Sequence, residues 1–283
     1  MAWRERKLTD GFGVELSGQL IEPALPQPER DAIYAAAMRY GLVVIPGQSL
    51  TDDALHDFAG TLGTVFAAPK VEGVPPTKVL PISNVDDAGE QLPPDDWWVR
   101  QNMANELWHI DNTFMRPRAT LSFLYGREVT PVGGNTEFCD TRLAWESLSD
   151  EMKTGLESLT AYHSIMHSRS TYGFDEWSRE EQERFPPIPR PLVELHRESG
   201  RKAMILASHI AAVGDLGPED TAAMMNLYMG LATIPENCYA HRWTQGDLLL
   251  WDNRCIMHRA TPFDVAKYRR DMRGLRLMDL ADA

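Results

Sequence analysis

The chain has 283 residues, 24% charged and 43% hydrophobic, with a formal net charge of −13. That length can bury a substantial core, and it favours one domain across residues 1–283 over two small ones. The negative charge excludes a general nucleic-acid or anionic-membrane binder, since it offers phosphates no counter-ion surface. Cys139, Cys238 and Cys255 form an odd set without C-x-x-C spacing. This argues against a disulfide scaffold or zinc ribbon and suits the cytoplasm. The stretch Met1 to Lys7 lacks the apolar run of a secretory signal, and no window has the length of a membrane span.

Taken in order, residues 8–21 predict an early strand and hairpin, with glycines at 11, 13 and 18. Pro26 to Tyr40 predicts a helix that starts near Pro28 and ends at Gly41. Leu42 to Ile45 is a short apolar strand, and Thr51 caps a second helix reaching Leu62. The stretch Pro69 to Asn105 is rich in Pro, Gly and Asp, with a strand at Val79 to Val85 inside it. Asp86 to Trp98 then reads as a long polar loop tipped by Trp97-Trp98, and we expect residues 86–105 to act as a lid. Ala119 to Glu128 and Thr136 to Asp140 are strands separated by a turn at Pro131 to Asn135. Arg142 to Leu159 predicts one helix, Tyr162 to Arg169 an extended segment, and 173–191 a surface excursion. A hairpin follows over Pro191 to Leu206, then a helix over Pro218 to Leu231 and a strand over Cys238 to Trp243. Leu248 to His258 reads as one buried run after a tight Gly246-Asp247 turn, and Tyr268 to Asp279 as the last strand. The whole predicts a mainly β barrel or sandwich with flanking helices.

His109 and Asp111 stand two apart, so on a strand they share a face, about 7 Å apart at their Cα atoms. One imidazole and one carboxylate on one face are two-thirds of the facial triad of a non-haem Fe(II) oxygenase. Taken alone the spacing is weak, and a surface pair is the bland reading. His258 closes the Leu248 run and could equally be a satisfied core histidine. Arg269, Arg270 and Arg273 lie just beyond, on what reads as its partner strand, with Arg269, Asp271 and Arg273 on one face. An inward arginine on a strand is rare unless it meets an anion, the alternative being a solvated edge strand. His163 and His167 would pair on a helix, but their segment reads as extended. They are therefore structural or surface residues by default, as are His56, His196, His209 and His241.

Here the sequence resembles the Fe(II)/2-oxoglutarate-dependent dioxygenases of the taurine and 2,4-dichlorophenoxyacetate dioxygenase type, over nearly the whole chain. Gly41 to Gln48 resembles the family's early strand and turn, Trp108 to Asp111 its W-H-x-D, and Gly133 to Thr136 its G-G-x-T. Trp251 to Arg254, running on to His258-Arg259-Ala260, resembles its W-D-N-R and second histidine. Arg269 stands eleven residues after His258 (269 − 258) and Arg273 fifteen after it (273 − 258). The resemblance implies a double-stranded β-helix (jelly-roll) core holding Fe(II) on His109, Asp111 and His258. It also implies 2-oxoglutarate and O2 as cosubstrates, with the distal carboxylate on Arg269 and the Thr136 hydroxyl and Trp251 beside it. Arg273 is expected at the proximal carboxylate or the substrate's acid group, and Asn105 near the substrate. A fork-shaped guanidinium suits a buried dianion better than an ammonium would.

The implied reaction couples decarboxylation of 2-oxoglutarate, giving succinate and CO2, to hydroxylation of a substrate C–H bond. The Ile82 to Val85, Met115 to Pro117 and Gly200 to Lys202 stretches resemble the aryloxyalkanoate branch more than the taurine branch. The expected partner is therefore a small anionic aromatic substrate of the phenoxyalkanoic acid kind, and the expected assembly a homo-oligomer. A taurine or alkylsulfonate dioxygenase is the alternative. A zinc hydrolase would need a general base that no residue supplies. A cupin-like binding protein could share the fold without the reaction.

Overall fold

The computed structural model describes residues 3–66 and 78–282, so the part of the Pro69 to Asn105 reading that falls on 69–77 lies outside the described residues. Strands β1 (Arg4–Lys7) and β2 (Val14–Ser17) form a hairpin ahead of helix α1 (Gln27–Tyr40). Helix α1 ends at Gly41, with φ 76°, where a Cβ would lie 2.7 Å from Ile256 Cδ1. Only glycine meets both demands, and β3 (Leu42–Ile45) leaves directly from it. Helix α2 (Asp52–Gly60) is capped by Thr51 Oγ1, which accepts from Ala54 N. Strand β4 (Leu80–Ser83) precedes α3 (Trp97–Met103), so the expected lid loop is partly helical, started by an Asp96 cap.

Strands β5 (Ala119–Glu128) and β6 (Thr136–Asp140) follow as expected. The single helix expected over Arg142 to Leu159 is two, α4 (Thr141–Ser147) and α5 (Asp150–Glu157), because Ser149 caps a new helix in mid-stretch. The segment expected to be extended over Tyr162 to Arg169 is half strand. Strand β7 (Thr160–His163) gives way to α6 (Ile165–Ser170), capped by Ser164. Next come α7 (Arg179–Arg184), β8 (Ile188–Pro191), β9 (Val193–His196), β10 (Arg201–Met204) and β11 (Ile210–Val213). Helix α8 (Pro218–Ala232) and β12 (Cys238–His241) lead to β13 (Leu248–Asp252), β14 (Ile256–Ala260) and β15 (Asp271–Met278).

The run expected from Leu248 to His258 is thus two strands. Asp252 breaks it by turning its carboxylate onto the Arg254 backbone N–H (2.9 Å) and guanidinium. The turn carries the chain from one sheet to another. A mixed seven-stranded sheet runs β1-β2-β3-β13-β5-β15-β4, and a three-stranded sheet runs β12-β6-β14. Strand β15 pairs with β5 and β4, not with the strand that carries His258. Strands β11-β7-β8 and the β9-β10 hairpin complete the sheets among the described residues.

Period-two alternation fixes what each face touches. On β13, Leu248 and Leu250 pack with Val43, Ile45 and Phe123 beneath α1 and α2. Leu249 and Trp251 face the other way, toward Phe138 and Ile256 of the small sheet. Cys139 and Met257, on the far side of the small sheet, pack against Ala144, Leu156 and Tyr228 of the later helices. The order is helices, large sheet, small sheet, helices. The three fully buried leucines of β13 each contribute about 1.5–3 kcal/mol. Near one end, the space between the two sheets is left unfilled by apolar side chains, and there the candidate site lies.

Candidate active site

His109 does not lie on a full strand. It makes a single bridge to His258, each backbone N–H donating to the other's carbonyl at 2.9 Å. This pairing sets the two rings with centroids 4.2 Å apart. Ile110 turns into the apolar core behind, while Asp111 comes forward at the start of a turn. Asn112 takes φ 54° to make that turn, a conformation asparagine tolerates better than most residues. His109, Asp111 and His258 are all buried, and one ligand atom from each lies within 4.8 Å of the others.

This donor set fits a divalent metal. His109 Nδ1 lies 2.7 Å from the Leu107 carbonyl, which makes it the protonated nitrogen and leaves Nε2 as a lone-pair donor. Burial pushes the pKa of His109 down and that of His258 well down, so both imidazoles are neutral. His258 Nδ1 has no hydrogen-bond partner among the described residues. Burial alone would raise the Asp111 carboxyl, but the Arg276 guanidinium beside it holds it well below the usual carboxylate range. Asp111 Oδ1 accepts from Arg276 Nη2 at 2.8 Å and Oδ2 from Ser122 Oγ at 2.6 Å. Ser122 Oγ in turn accepts from Asn253 Nδ2 at 2.7 Å, and Asn253 Oδ1 accepts from the Asp111 backbone N–H. The W-D-N-R turn therefore orients the carboxylate through one serine.

A cavity opens on either side of this group. The inner lobe, about 910 Å³ with its mouth, lies between the two sheets and is bordered by Thr136, Trp251, Phe263 and Arg270. The outer lobe, about 1780 Å³ with its mouth, is bordered by Trp97, Trp98, Phe114 and Arg169. Asn105, His109, Asp111 and Arg276 border both. Thr136 is buried, and its Oγ1 accepts from Trp243 Nε1 at 3.0 Å, leaving the hydroxyl proton free to donate. The Trp251 ring stands 4.5 Å from that of His258. Two glycines of the G-G-x-T turn make room here, both at positive φ. A Cβ on Gly133 would lie 2.6 Å from the Pro262 carbonyl, and one on Gly134 3.3 Å from Arg270 Nε.

The structure does not bring Arg269 and Arg273 into this cavity. Arg269 reaches outward to Glu128 and the Gly89 carbonyl, and Arg273 pairs with Asp271. Arg270 and Arg276 face inward in their stead. The physical reason is parity: a strand's side chains alternate, so a slip of one residue exchanges the two faces. Strand β15 sets Arg276 opposite Ser122 and Gly274 opposite Leu124, and the inward arginine stands twelve residues after His258 (270 − 258). Among the described residues no carboxylate pairs with Arg270, and burial lowers its pKa to about 10.

Ser122 and Arg276 were not singled out by the sequence, and Arg270 was named only within the arginine cluster, without a role. Ser122 carried a faint signal, as a lone polar residue inside Leu121 to Leu124. His163 is buried against Thr113 and His167 is exposed, so they form no pair. A second grouping, His196, Asp252 and Cys255, is already satisfied, with Asp252 held by His196 at 2.9 Å and by Arg254.

Among known proteins, the chain is 35% identical over 243 residues to the alpha-ketoglutarate-dependent 2,4-dichlorophenoxyacetate dioxygenase of Cupriavidus pinatubonensis, covering 84% of each chain. It is 33% identical to the (S)-phenoxypropionate/alpha-ketoglutarate-dioxygenase of Sphingobium herbicidovorans, over 84% of this chain and 82% of that one. Among solved structures, AAD-2 in complex with Mn(II) and N-oxalylglycine superimposes with a TM-score of 0.90 at 33% identity. That match covers 99% of this chain and 98% of AAD-2. The family described as "Taurine catabolism dioxygenase TauD, TfdA family" matches residues 4–276, and the chain belongs to it.

Proposed function

We propose that this dioxygenase uses Fe(II), 2-oxoglutarate and O2 to hydroxylate the carbon beside the ether oxygen of an aryloxyalkanoic acid. The hydroxylated carbon loses its aryloxy group, giving a phenol and a 2-oxo acid, while 2-oxoglutarate leaves as succinate and CO2. The observation that carries this reading is the divided cavity. On one side of the His109–Asp111–His258 group the cavity is lined by a buried guanidinium without a carboxylate partner and by a hydroxyl whose proton is free to donate, and on the other lies an aromatic-walled chamber. The first suits a dicarboxylate and the second an aromatic acid. Relatives named for 2,4-dichlorophenoxyacetate and (S)-phenoxypropionate support the substrate class.

His109, Asp111 and His258 hold the iron, which when bound supplies the activation of O2 coupled to oxidative decarboxylation. Ser122 and Asn253 keep the Asp111 carboxylate oriented toward it. Arg270 takes the distal carboxylate of 2-oxoglutarate as a two-pronged donor, with Thr136 Oγ1 adding a third hydrogen bond. Trp251 packs alongside, and Arg276 holds the Asp111 carboxylate in place. Asn105 stands at the divide, and residues 86–105 cover the entrance as a lid that excludes water. The large and small sheets form the two halves of a jelly roll. Three free cysteines suit the cytoplasm.

The test is an aerobic assay of purified protein with Fe(II), ascorbate and 2-oxoglutarate over 2,4-dichlorophenoxyacetate, each enantiomer of a 2-aryloxypropionate, and taurine. Phenol released in step with succinate is the expected result. Sulfite from taurine without phenol would move the enzyme to the alkylsulfonate class. Succinate with neither product would discard both substrates.

A further inference from the structure

The cations around the outer lobe differ in what already holds them. Four border it: Lys78, Arg169, Arg184 and Arg276. Lys78 Nζ lies 2.8 Å from Asp53, and Arg276 Nη2 lies 2.8 Å from Asp111. Arg184 is exposed, with its guanidinium 5.3 Å from the Phe185 ring. Arg169 alone is half-buried and, among the described residues, has no carboxylate partner. Burial, and then the nearby charge of Arg276, push its pKa down to about 10, so it stays charged at neutral pH in surroundings that disfavour the charge.

The position of Arg169 is fixed with respect to the metal-binding group. It sits on α6, whose preceding residue Ser168 is buried and lies 2.8 Å from His209 Nδ1. The His209 ring stands edge-on to Phe114 at 4.7 Å and to His109 at 5.9 Å. The charge of Arg169 is felt at both histidines. A half-buried charge without a partner is costly to keep. A bound anion would relieve that cost, and the wall around it is aromatic.

We propose that Arg169 anchors the carboxylate of the organic substrate, with its aromatic ring lodged among Trp97, Trp98, Phe114 and Phe185. This rests on the reading of the enzyme as an aryloxyalkanoate dioxygenase and names the residue that selects for the acid. Arg169 thereby sets which carbon faces the His109–Asp111–His258 group, and Arg270 serves only the cosubstrate.

The test measures binding of 4-chlorophenoxyacetate and of its neutral primary amide. The probe is quenching of tryptophan fluorescence in the full chain, saturated with Mn(II) and 2-oxoglutarate so that the inner lobe is filled. Wild type should prefer the acid. Arg169→Gln should weaken the acid at least about tenfold, the worth of one charge-assisted hydrogen bond, and the amide less than about twofold. Equal losses for both, or no preference in wild type, would overturn the anchor. If Arg169→Gln does not fold, Arg169→Lys decides. Retained preference for the acid upholds the role of the charge, and its loss sinks it. Phenol release by wild type is scored separately. An Arg169-dependent acid preference without phenol keeps the anchor and discards the ether-cleavage reading. Phenol release with unchanged acid binding in Arg169→Gln does the reverse.

Discussion

The two faces of the last strand carry the same residue type to opposite ends. On the outer face, Arg269 and Arg273 are consumed by neighbours: Arg269 by Glu128 at 2.9 Å, and Arg273 by Asp271 at 3.1 Å. On the inner side, Arg270 is 7% exposed and meets no carboxylate among the described residues, while Arg276 is spent on Asp111. The side chain of Arg269, one residue away, is 39% exposed. An arginine that is already paired is part of the scaffold. One that is buried and unpaired is held ready for an anion that arrives later, and its desolvation is tolerated because the ligand relieves it.

The largest expected effect breaks the inner face. Arg270→Ala should raise the KM for 2-oxoglutarate by about 30-fold or more, since truncating one partner of a buried charge pair costs about 2–5 kcal/mol. Steady-state kinetics in 2-oxoglutarate checks it, and a KM within a few-fold of wild type would remove Arg270 from the cosubstrate site. Next in size is Ser122→Ala, which leaves Asp111 in place but unfastens Oδ2. Fe(II) affinity should fall about 10–100-fold, as for other residues that orient a ligand, with 2-oxoglutarate binding to the metal-loaded protein little changed. Metal titration reads this directly, and unchanged affinity would mean that Arg276 alone orients the carboxylate.

Much of this was legible in the sequence, and the rest was not for identifiable reasons. The H-x-D pair, His258 and Thr136 are carried by short motifs whose glycines and apolar neighbours dictate local structure, and the fold brings all four to one cavity. The choice between Arg269 and Arg270 depends on the path of residues 261–268, and one residue in such a loop inverts the strand that follows. Leu248 to His258 looked continuous because its apolar residues run on. The break comes from Asp252 bonding to a backbone N–H two residues ahead, which hydrophobic patterning does not register. Ser149 and Ser164 interrupt their segments similarly, by capping helices. Arg169 was hidden for a different reason: only the folded chamber shows that it borders the cavity without a carboxylate partner among the described residues.

The outer face should respond weakly, and in stability before activity. Arg273→Ala leaves the buried Asp271 with Arg127 alone, at 2.7 Å, and should cost about 1–3 kcal/mol. It should lower Tm by a few degrees and leave the KM for 2-oxoglutarate unchanged. Arg269→Ala should do least of all. Its bond to Glu128 is at the surface, where solvent and salt screen it, and its loss strands no buried charge. Both Tm and the KM for 2-oxoglutarate should match wild type, and Arg269→Ala combined with Arg270→Ala should behave as Arg270→Ala alone. If Arg269→Ala instead raised that KM while Arg270→Ala did not, the strand would sit in the opposite phase in the working enzyme. The cosubstrate arginine would then be the one eleven residues after His258.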